Sequence, residues 1–266
     1  MSLLNCVNLS FSYTKEPLLK NITLDFKAGE FVGLIGANGT GKSTLLQLLL
    51  GLIKQQSGKV FIDNTDIHTL KRRDIAKQLA FVPQSIELPY AFNAQELVAM
   101  GRNPYLGAFE LETARDKKII DEAMNQTDIT HLKNRLVNTL SGGEKQRVII
   151  ARALAQQAQT ILLDEPIASL DICHQIETLE LIRTLTQTGK LAITALHDLN
   201  LAARYCDRLI LLGKTIDNPQ KRIIADGTPE QVLNSTNLAN CFSIHADINK
   251  LNNIISLTNI TALKHY

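Results

Sequence analysis

No stretch of this chain is apolar for long enough to cross a bilayer. The longest candidate, around Leu45 to Ile53 with Gln47 inside it, falls well short of the roughly 20 residues that a spanning helix needs. Also missing is a basic N-terminal region followed by an apolar core, since Met1-Ser2-Leu3-Leu4-Asn5 has neither, so no signal peptide is expected. Cysteine is sparse. Cys6, Cys173, Cys206 and Cys241 are scattered, with no C-x-x-C spacing and no histidine placed to complete a zinc site, which fits a reducing compartment. Neither sign of charge prevails, because 28 Lys and Arg face 26 Asp and Glu for a net charge of +2. The densest basic clusters, Lys71-Arg72-Arg73 and Lys117-Lys118, read as solvated helix faces, and no nucleic-acid partner is expected. The remainder, 45% apolar and 20% charged, is ordinary globular composition. At 266 residues the chain suits one domain with a sizeable insertion, or two subdomains.

Against that background Gly36-Ala37-Asn38-Gly39-Thr40-Gly41-Lys42-Ser43-Thr44 stands out, because it matches the phosphate-binding pattern G-x-x-x-x-G-K-[ST]. The apolar run Glu30 to Ile35 before it reads as a buried strand, and Leu45 to Leu50 after it as a buried helix, which is the context the pattern requires. Its glycines let backbone N–H groups turn toward one anion, and the helix dipole favours negative charge there. Lys42 adds a cation and Ser43 a hydroxyl for Mg²⁺.

Upstream, apolar and polar residues alternate in Val7 to Tyr13 and in Ile22 to Phe26, which predicts half-buried antiparallel strands. Tyr13 is either a base-stacking residue or an ordinary tyrosine, and the residues alone leave both open. Downstream, Gly58 to Asp63 reads as a strand and Arg73 to Leu79 as a helix. Ala80-Phe81-Val82-Pro83-Gln84 reads as a strand that Pro83 ends, holding Gln84 at the sheet edge within reach of a metal-bound water or simply in solvent. From about 88 to 157 helical periodicity takes over, as in an α-helical insertion within an α/β domain. The sheet returns with Thr160 to Asp164. Further predicted elements are a helix over Asp171 to Thr186, a strand from Leu191 to Leu196 ending at His197, a helix over Leu199 to Tyr205, a strand over Leu209 to Leu212 and a hairpin turning at Asn218-Pro219. Beyond Pro229 the pattern weakens to a short helix and Asn-rich sequence.

Asp164, at the end of an apolar strand behind a phosphate loop, suits a nucleotide-bound Mg²⁺. Glu165 points elsewhere, because successive strand side chains alternate, and is free to act on an attacking water. Ser141-Gly142-Gly143-Glu144 has the form of a capping box, which accounts for the Ser and the Glu. It does not account for two glycines in a first helical turn, where each costs up to about 1 kcal/mol relative to Ala. Bare backbone there predicts a second anion site.

Leu140-Ser141-Gly142-Gly143-Glu144-Lys145-Gln146-Arg147 resembles the signature motif of the ATP-binding cassette (ABC) ATPases, and the other parts fall in that family's order. Tyr13 matches its adenine-stacking tyrosine, Gly36 to Thr44 its Walker A, Gln84 its Q-loop and Ile161 to Glu165 its Walker B with catalytic glutamate. Ser169-Leu170-Asp171 matches its D-loop and His197 its switch histidine. Pro166-Ile167-Ala168-Ser169 departs from the family, in which a small hydroxyl residue commonly follows the proline. Met100 to Tyr105, Leu170 to Gln175 and Leu196 to Ala202 resemble the ATPase subunits of iron-siderophore, haem and cobalamin importers, with Tyr105 where those have His.

The resemblance implies an α/β P-loop NTPase fold with a RecA-like parallel sheet. Residues 1–87 and 158–235 would form the core with its antiparallel β subdomain, 88–157 the helical signature subdomain and 236–266 a tail. It also implies a head-to-tail homodimer, with each ATP held between the Gly36 to Thr44 loop of one chain and Ser141-Gly142-Gly143 of the other. Tyr13 would stack on the base and Lys42 would hold the β- and γ-phosphates. Ser43, Gln84 and Asp164 would serve Mg²⁺, Glu165 would polarise water, and His197 would contact the γ-phosphate. Implied partners are transmembrane permease subunits on separate chains and, indirectly, a substrate-binding protein, with the chain peripheral on the cytoplasmic face of the cell membrane. A zinc or manganese importer subunit is an alternative, as is a soluble ABC ATPase of DNA repair or translation. A P-loop small-molecule kinase would have no use for the Ser141 motif.

Overall fold

The structure is a computed structural model, described here for residues 2–84, 92–107, 110–168, 170–214, 222–251 and 254–263. The N-terminal alternation forms β1 (Ser2–Phe11) and β2 (Leu19–Lys27), paired antiparallel. Leu19, Ile22, Leu24 and Phe26 of β2 are buried while Asn21, Thr23 and Asp25 are exposed, the one-sided burial expected of a half-covered sheet.

After β3 (Phe31–Ile35), the phosphate loop opens α1 (Lys42–Leu49). β4 (Ser57–Ile62) and β5 (Thr65–Asp66) return to the first sheet in the order β2-β1-β4-β5. The chain then forms α2 (Arg72–Gln78) and β6 (Leu79–Val82), and enters the helical region of α3 (Ala94–Ala99), α4 (Ala114–Gln126) and α5 (Gly142–Ala155). Asn93, Thr113 and Ser141 start these three helices with complete capping boxes.

The sheet resumes with β7 (Thr160–Asp164), α6 (Ile172–Gln187), β8 (Leu191–Ala195), α7 (Leu199–Tyr205) and β9 (Arg208–Leu212). β10 (Ile223–Gly227) pairs antiparallel with β9, while the hairpin expected over Lys214 to Gly227 lies partly outside the described residues, its turn at Asn218-Pro219 included. The second sheet runs β10-β9-β3-β8-β7-β6, parallel from β9 to β6. Every residue of β3, β7 and β8 is buried, as continuous apolar strands covered on both faces must be.

Alternation along these strands divides the interior into two cores. Val32, Leu34, Leu162 and Ile193 pack with Leu45 and Leu46 of α1 and with Leu9, Leu24 and Phe26 of the antiparallel sheet. Phe31, Ile35, Ile161 and Leu163 pack instead with Leu97, Ile120 and Val148 of the helical region and Leu179 and Ile182 of α6. The parallel sheet is therefore the layer through which the phosphate loop and the helical region are joined.

The C-terminal region holds more structure than its sequence suggested. α8 (Pro229–Val232) and α9 (Ser235–Phe242) precede a hairpin of β11 (Ile244–Leu251) and β12 (Ile254–Ala262). Ala246, Ile255 and Leu257 enter the helical-side core, and Asn200 of α7 exchanges two hydrogen bonds with the Leu257 backbone, at 2.7 and 3.2 Å. Much of the hairpin is solvated, with Asp247 to Leu251 and Thr258 to Ala262 exposed, and it mixes Ile248, Leu251 and Ile260 with asparagines, which erases the alternation that would have signalled strands.

Candidate functional site

The loop after β3 depends on glycine at particular places. Gly36 has φ 146°, and a Cβ there would stand 2.2 Å from the Leu212 carbonyl oxygen, so only a residue without one fits. Gly41, at φ 100°, precedes the first turn of α1, whose amides receive no side-chain cap. With no acidic residue in that turn, the positive end of the helix is left for an outside anion. Lys42 is 5% exposed and curls back, its Nζ donating to the carbonyls of Gly36 at 2.8 Å and Ala37 at 3.3 Å. Burial lowers its pKa, opposed by the charges of Glu165 and Asp164. Thr40 Oγ1 donates to the Ala37 carbonyl at 2.9 Å, Asn38 and Gly39 are exposed at the loop tip, and Thr44 is buried.

Sheet order then does what chain order hides. β8, β7 and β6 lie in succession beside β3, so their C-terminal ends bring His197, Asp164 with Glu165, and Gln84 to the edge where the loop begins. Ser43 Oγ donates to Asp164 Oδ1 at 2.8 Å. Glu165, just past the strand end at φ 50°, turns away from that pair. Its Oε2 accepts a 2.7 Å hydrogen bond from Gln84 Nε2, and its Oε1 meets His197 Nε2. Gln84, expected beside Mg²⁺, thus stands on Glu165 and not on the Ser43–Asp164 pair. A cavity of about 240 Å³ lies beside this cluster, lined by Glu165, Ile167, Ala168, Gln175 and His197 among others.

Burial raises the Asp164 pKa, and the Glu165 charge adds to the rise against the Ser43 hydrogen bond that opposes it. Two carboxylates sharing a strand end repel, and a hard cation at the Ser43–Asp164 oxygens would relieve that repulsion. One carboxylate and one hydroxyl, completed by phosphate oxygens and water, is a donor set that suits Mg²⁺. Tyr13 is 65% exposed, its ring edge-on to Phe11 at 4.8 Å, in the β1–β2 connection whose returning residues Leu18 and Leu19 pack against Gly41.

The start of α5 is separate. Ser141 Oγ accepts from the Glu144 amide at 3.3 Å, while Glu144 Oε2 accepts from the Ser141 amide at 2.8 Å. Among the described residues no hydrogen bond or ion pair links Ser141, Gly142 or Gly143 to the phosphate loop.

Residues 19–168 match the ABC transporter family model. The chain belongs to that family. It is 40% identical over 239 residues to the petrobactin import ATP-binding protein FpuC of Bacillus anthracis, covering 90% of this chain and 86% of the relative. It is 38% identical over 250 residues to the hemin import ATP-binding protein HmuV of Bordetella pertussis, covering 91% and 92%. Among solved structures, an inward-facing transporter assigned to the metal-chelate ABC type superposes with a TM-score of 0.83 at 28% identity, over 99% of this chain and 98% of that one. A dimeric bacterial ABC transporter cassette superposes at 0.72 with 30% identity, over 85% and 98%.

The activity of this ABC ATPase is ATP hydrolysis. The family match includes the phosphate loop, Gln84, the Ser141 motif and the two acids, whereas Tyr13, His197 and the C-terminal hairpin lie outside it. Asp171, matched in sequence to the D-loop, and Gln175, matched only to the importer branch, hold the turn after Glu165. Asp171 caps α6 by accepting from the His174 amide at 3.0 Å, and its other oxygen meets His174 Nδ1 at 2.7 Å. Gln175 Nε2 donates to the carbonyls of Leu170 at 3.0 Å and Ile167 at 3.3 Å. Gly143 also gains a packing reason that the anion-site reading lacked, since a methyl group there would stand 3.0 Å from Cδ2 of His174. Ser169, the first residue of the expected D-loop, lies outside the described residues.

Proposed function

We propose that this chain is the ATP-hydrolysing subunit of an importer for an iron chelate (a siderophore complex or haem) or cobalamin, acting as a head-to-tail homodimer on separate membrane-spanning permease chains. The observation that carries the catalytic part is Glu165, a carboxylate held between Gln84 and His197 and beside, but not on, the Ser43–Asp164 pair. Lys42 and the loop amides bind the β- and γ-phosphates, Lys42 exchanging two backbone carbonyls for phosphate oxygens. Ser43 and Asp164 would hold Mg²⁺, which would neutralise charge on the phosphates, while Gln84 steadies Glu165 beside them. Glu165 accepts the proton of the attacking water, and His197 fixes the γ-phosphate. Tyr13, exposed near the loop, stacks on the adenine.

The uncovered start of α5 supports the dimer. Ser141, Gly142 and Gly143 present helix-terminal backbone to the outside, and the γ-phosphate bound on a second chain is an anion suited to it. Residues 88–157 act as the signature subdomain that passes closure to the permease, and residues 236–266 as a tail. Among the described residues no helix is long and apolar enough to cross a membrane, which fits a peripheral subunit on the cytoplasmic face of the membrane, served indirectly by a substrate-binding protein. Relatives named for petrobactin and hemin import favour an iron chelate over the zinc or manganese alternative. Growth of a strain lacking this chain, offered one iron source at a time, tests the cargo. Lost growth on one ferric chelate or haem with normal growth on ferrous iron is expected, and a defect seen only under zinc or manganese limitation would overturn it.

A further inference from the structure

His174 sits where two otherwise separate parts of one chain meet. Its imidazole packs on Gly143, in the first turn of α5, close enough that a methyl group there would stand 3.0 to 3.3 Å from Cδ2, Cγ and Nε2 and press the ring aside by a few tenths of an ångström. The same ring, through Nδ1, donates to Asp171 Oδ2 at 2.7 Å. From Asp171 a series of hydrogen bonds among the described residues leads back toward Glu165. Gln175 holds the carbonyls of Ile167 and Leu170, Leu170 N donates to the Ile167 carbonyl at 3.2 Å, and Ala168 N donates to the Glu165 carbonyl at 3.2 Å. One turn further along each helix, Arg147 of α5 and Glu177 of α6 form an ion pair at 3.5 Å, so the two helix starts are tied at two levels.

Resting on the dimer reading above, we infer that His174 is a positioning residue that couples the two ATP sites. It links the Gly142-Gly143 backbone, which covers the partner's ATP, to the turn that carries this chain's own Glu165. Approach of the partner's γ-phosphate to the α5 start moves Gly143 against the ring, and the ring shifts Asp171 and the turn behind Glu165. The contacts of His174 are to Asp171 and Gly143, so on this reading its effect appears in how one site responds to the other and not in how tightly either binds.

The test uses the full chain and compares ATP hydrolysis across ATP concentration for wild type, His174→Ala, Asp171→Ser and the double variant. Nucleotide affinity and thermal melting are measured alongside. Asp171→Ser keeps an N-cap acceptor for α6 while placing its oxygen too far back for the imidazole, so it separates coupling from folding. Each single variant should lower kcat about 10-fold, the worth of one hydrogen bond to a charged acceptor, with the Hill coefficient falling toward 1 and ATP affinity and melting unchanged. The double variant should cost no more than either single change, because both break the same link. His174→Asn, whose amide nitrogen stands near the Nδ1 position, should restore cooperativity in part. Losses that add in the double variant, or an unchanged Hill coefficient in His174→Ala, would overturn the inference alone. Wild-type hydrolysis without cooperativity would overturn the two-site reading and the inference together.

Discussion

The strand-end cluster and the start of α5 are built on opposite plans. At the strand ends, Lys42, Ser43, Asp164, Glu165, Gln84 and His197 all find partners inside this chain, and Lys42 and Asp164 are buried. At the start of α5, the capping box satisfies Ser141 and Glu144 locally and leaves Ser141 and Gly142 exposed, with Gly143 half-buried against His174. A pre-organised cluster can bind its ligand alone, whereas outward-facing amides act on something another molecule brings. Under the proposed function, this difference corresponds to nucleotide binding by the single chain and efficient hydrolysis by two.

The largest effect is expected where the single-chain half is broken. Lys42→Ala should abolish ATP binding in a nucleotide titration, and unaltered affinity would contradict the loop assignment. Next, Glu165→Gln should cut turnover by about 10²–10⁴, the range for losing a general base, while leaving ATP affinity intact. Near-normal hydrolysis in that variant would remove Glu165 from its role. Ser141→Arg attacks the outward half. It should lower turnover about 100-fold, comparable to losing a charge-stabilising donor, without weakening binding to the isolated chain. Reduced affinity in the isolated Ser141→Arg chain would mean that the two halves are not independent.

The smallest expected effect concerns stability, and here the two regions differ in sign. In the helical region Asp116 is buried, accepts from the Thr113 hydroxyl and backbone, and pairs with Arg102 at 2.9 Å, which together lower its pKa from 3.8 to about 2. Its contribution to stability is therefore present above pH ~4 and fades as pH falls toward ~2. Asp164 has its pKa raised by burial, so the folded, ligand-free chain holds its proton to higher pH than the unfolded chain does. Its ionisation opposes folding as pH rises above the ordinary carboxylate value. Melting curves at neutral pH should show Asp116→Asn less stable than wild type and Asp164→Asn more stable, although the latter loses hydrolysis. The same sign for both would mean that the Asp164 site is not strained by charge.

How much of this was legible in the sequence follows from how local each feature is. The phosphate loop, its flanking strand and helix, and the strand ending in Asp164 and Glu165 are contiguous, and each was readable in place. The meeting of Gln84, Glu165 and His197 was not, because it depends on β6, β7 and β8 lying side by side, an order that resemblance implied but periodicity does not encode. The Gly143 contact with His174 joins residues 31 apart on two helices, so the glycine looked like bare anion-binding backbone alone. Arg102 read as part of a family motif, yet its physical role is to pair with Asp116 and donate to the Ala155 carbonyl at 2.7 Å, with the Tyr105 ring 4.0 Å away. The hairpin near the C-terminus escaped because much of it is solvated.

The claim that each ATP site is shared between two chains is tested most directly by the solution mass of Glu165→Gln with saturating ATP and Mg²⁺. The account predicts twice the 29.5 kDa of one chain, reverting to one chain when Ser141→Arg is added. A mass of one chain under saturating ATP, in a variant that binds the nucleotide, would contradict it.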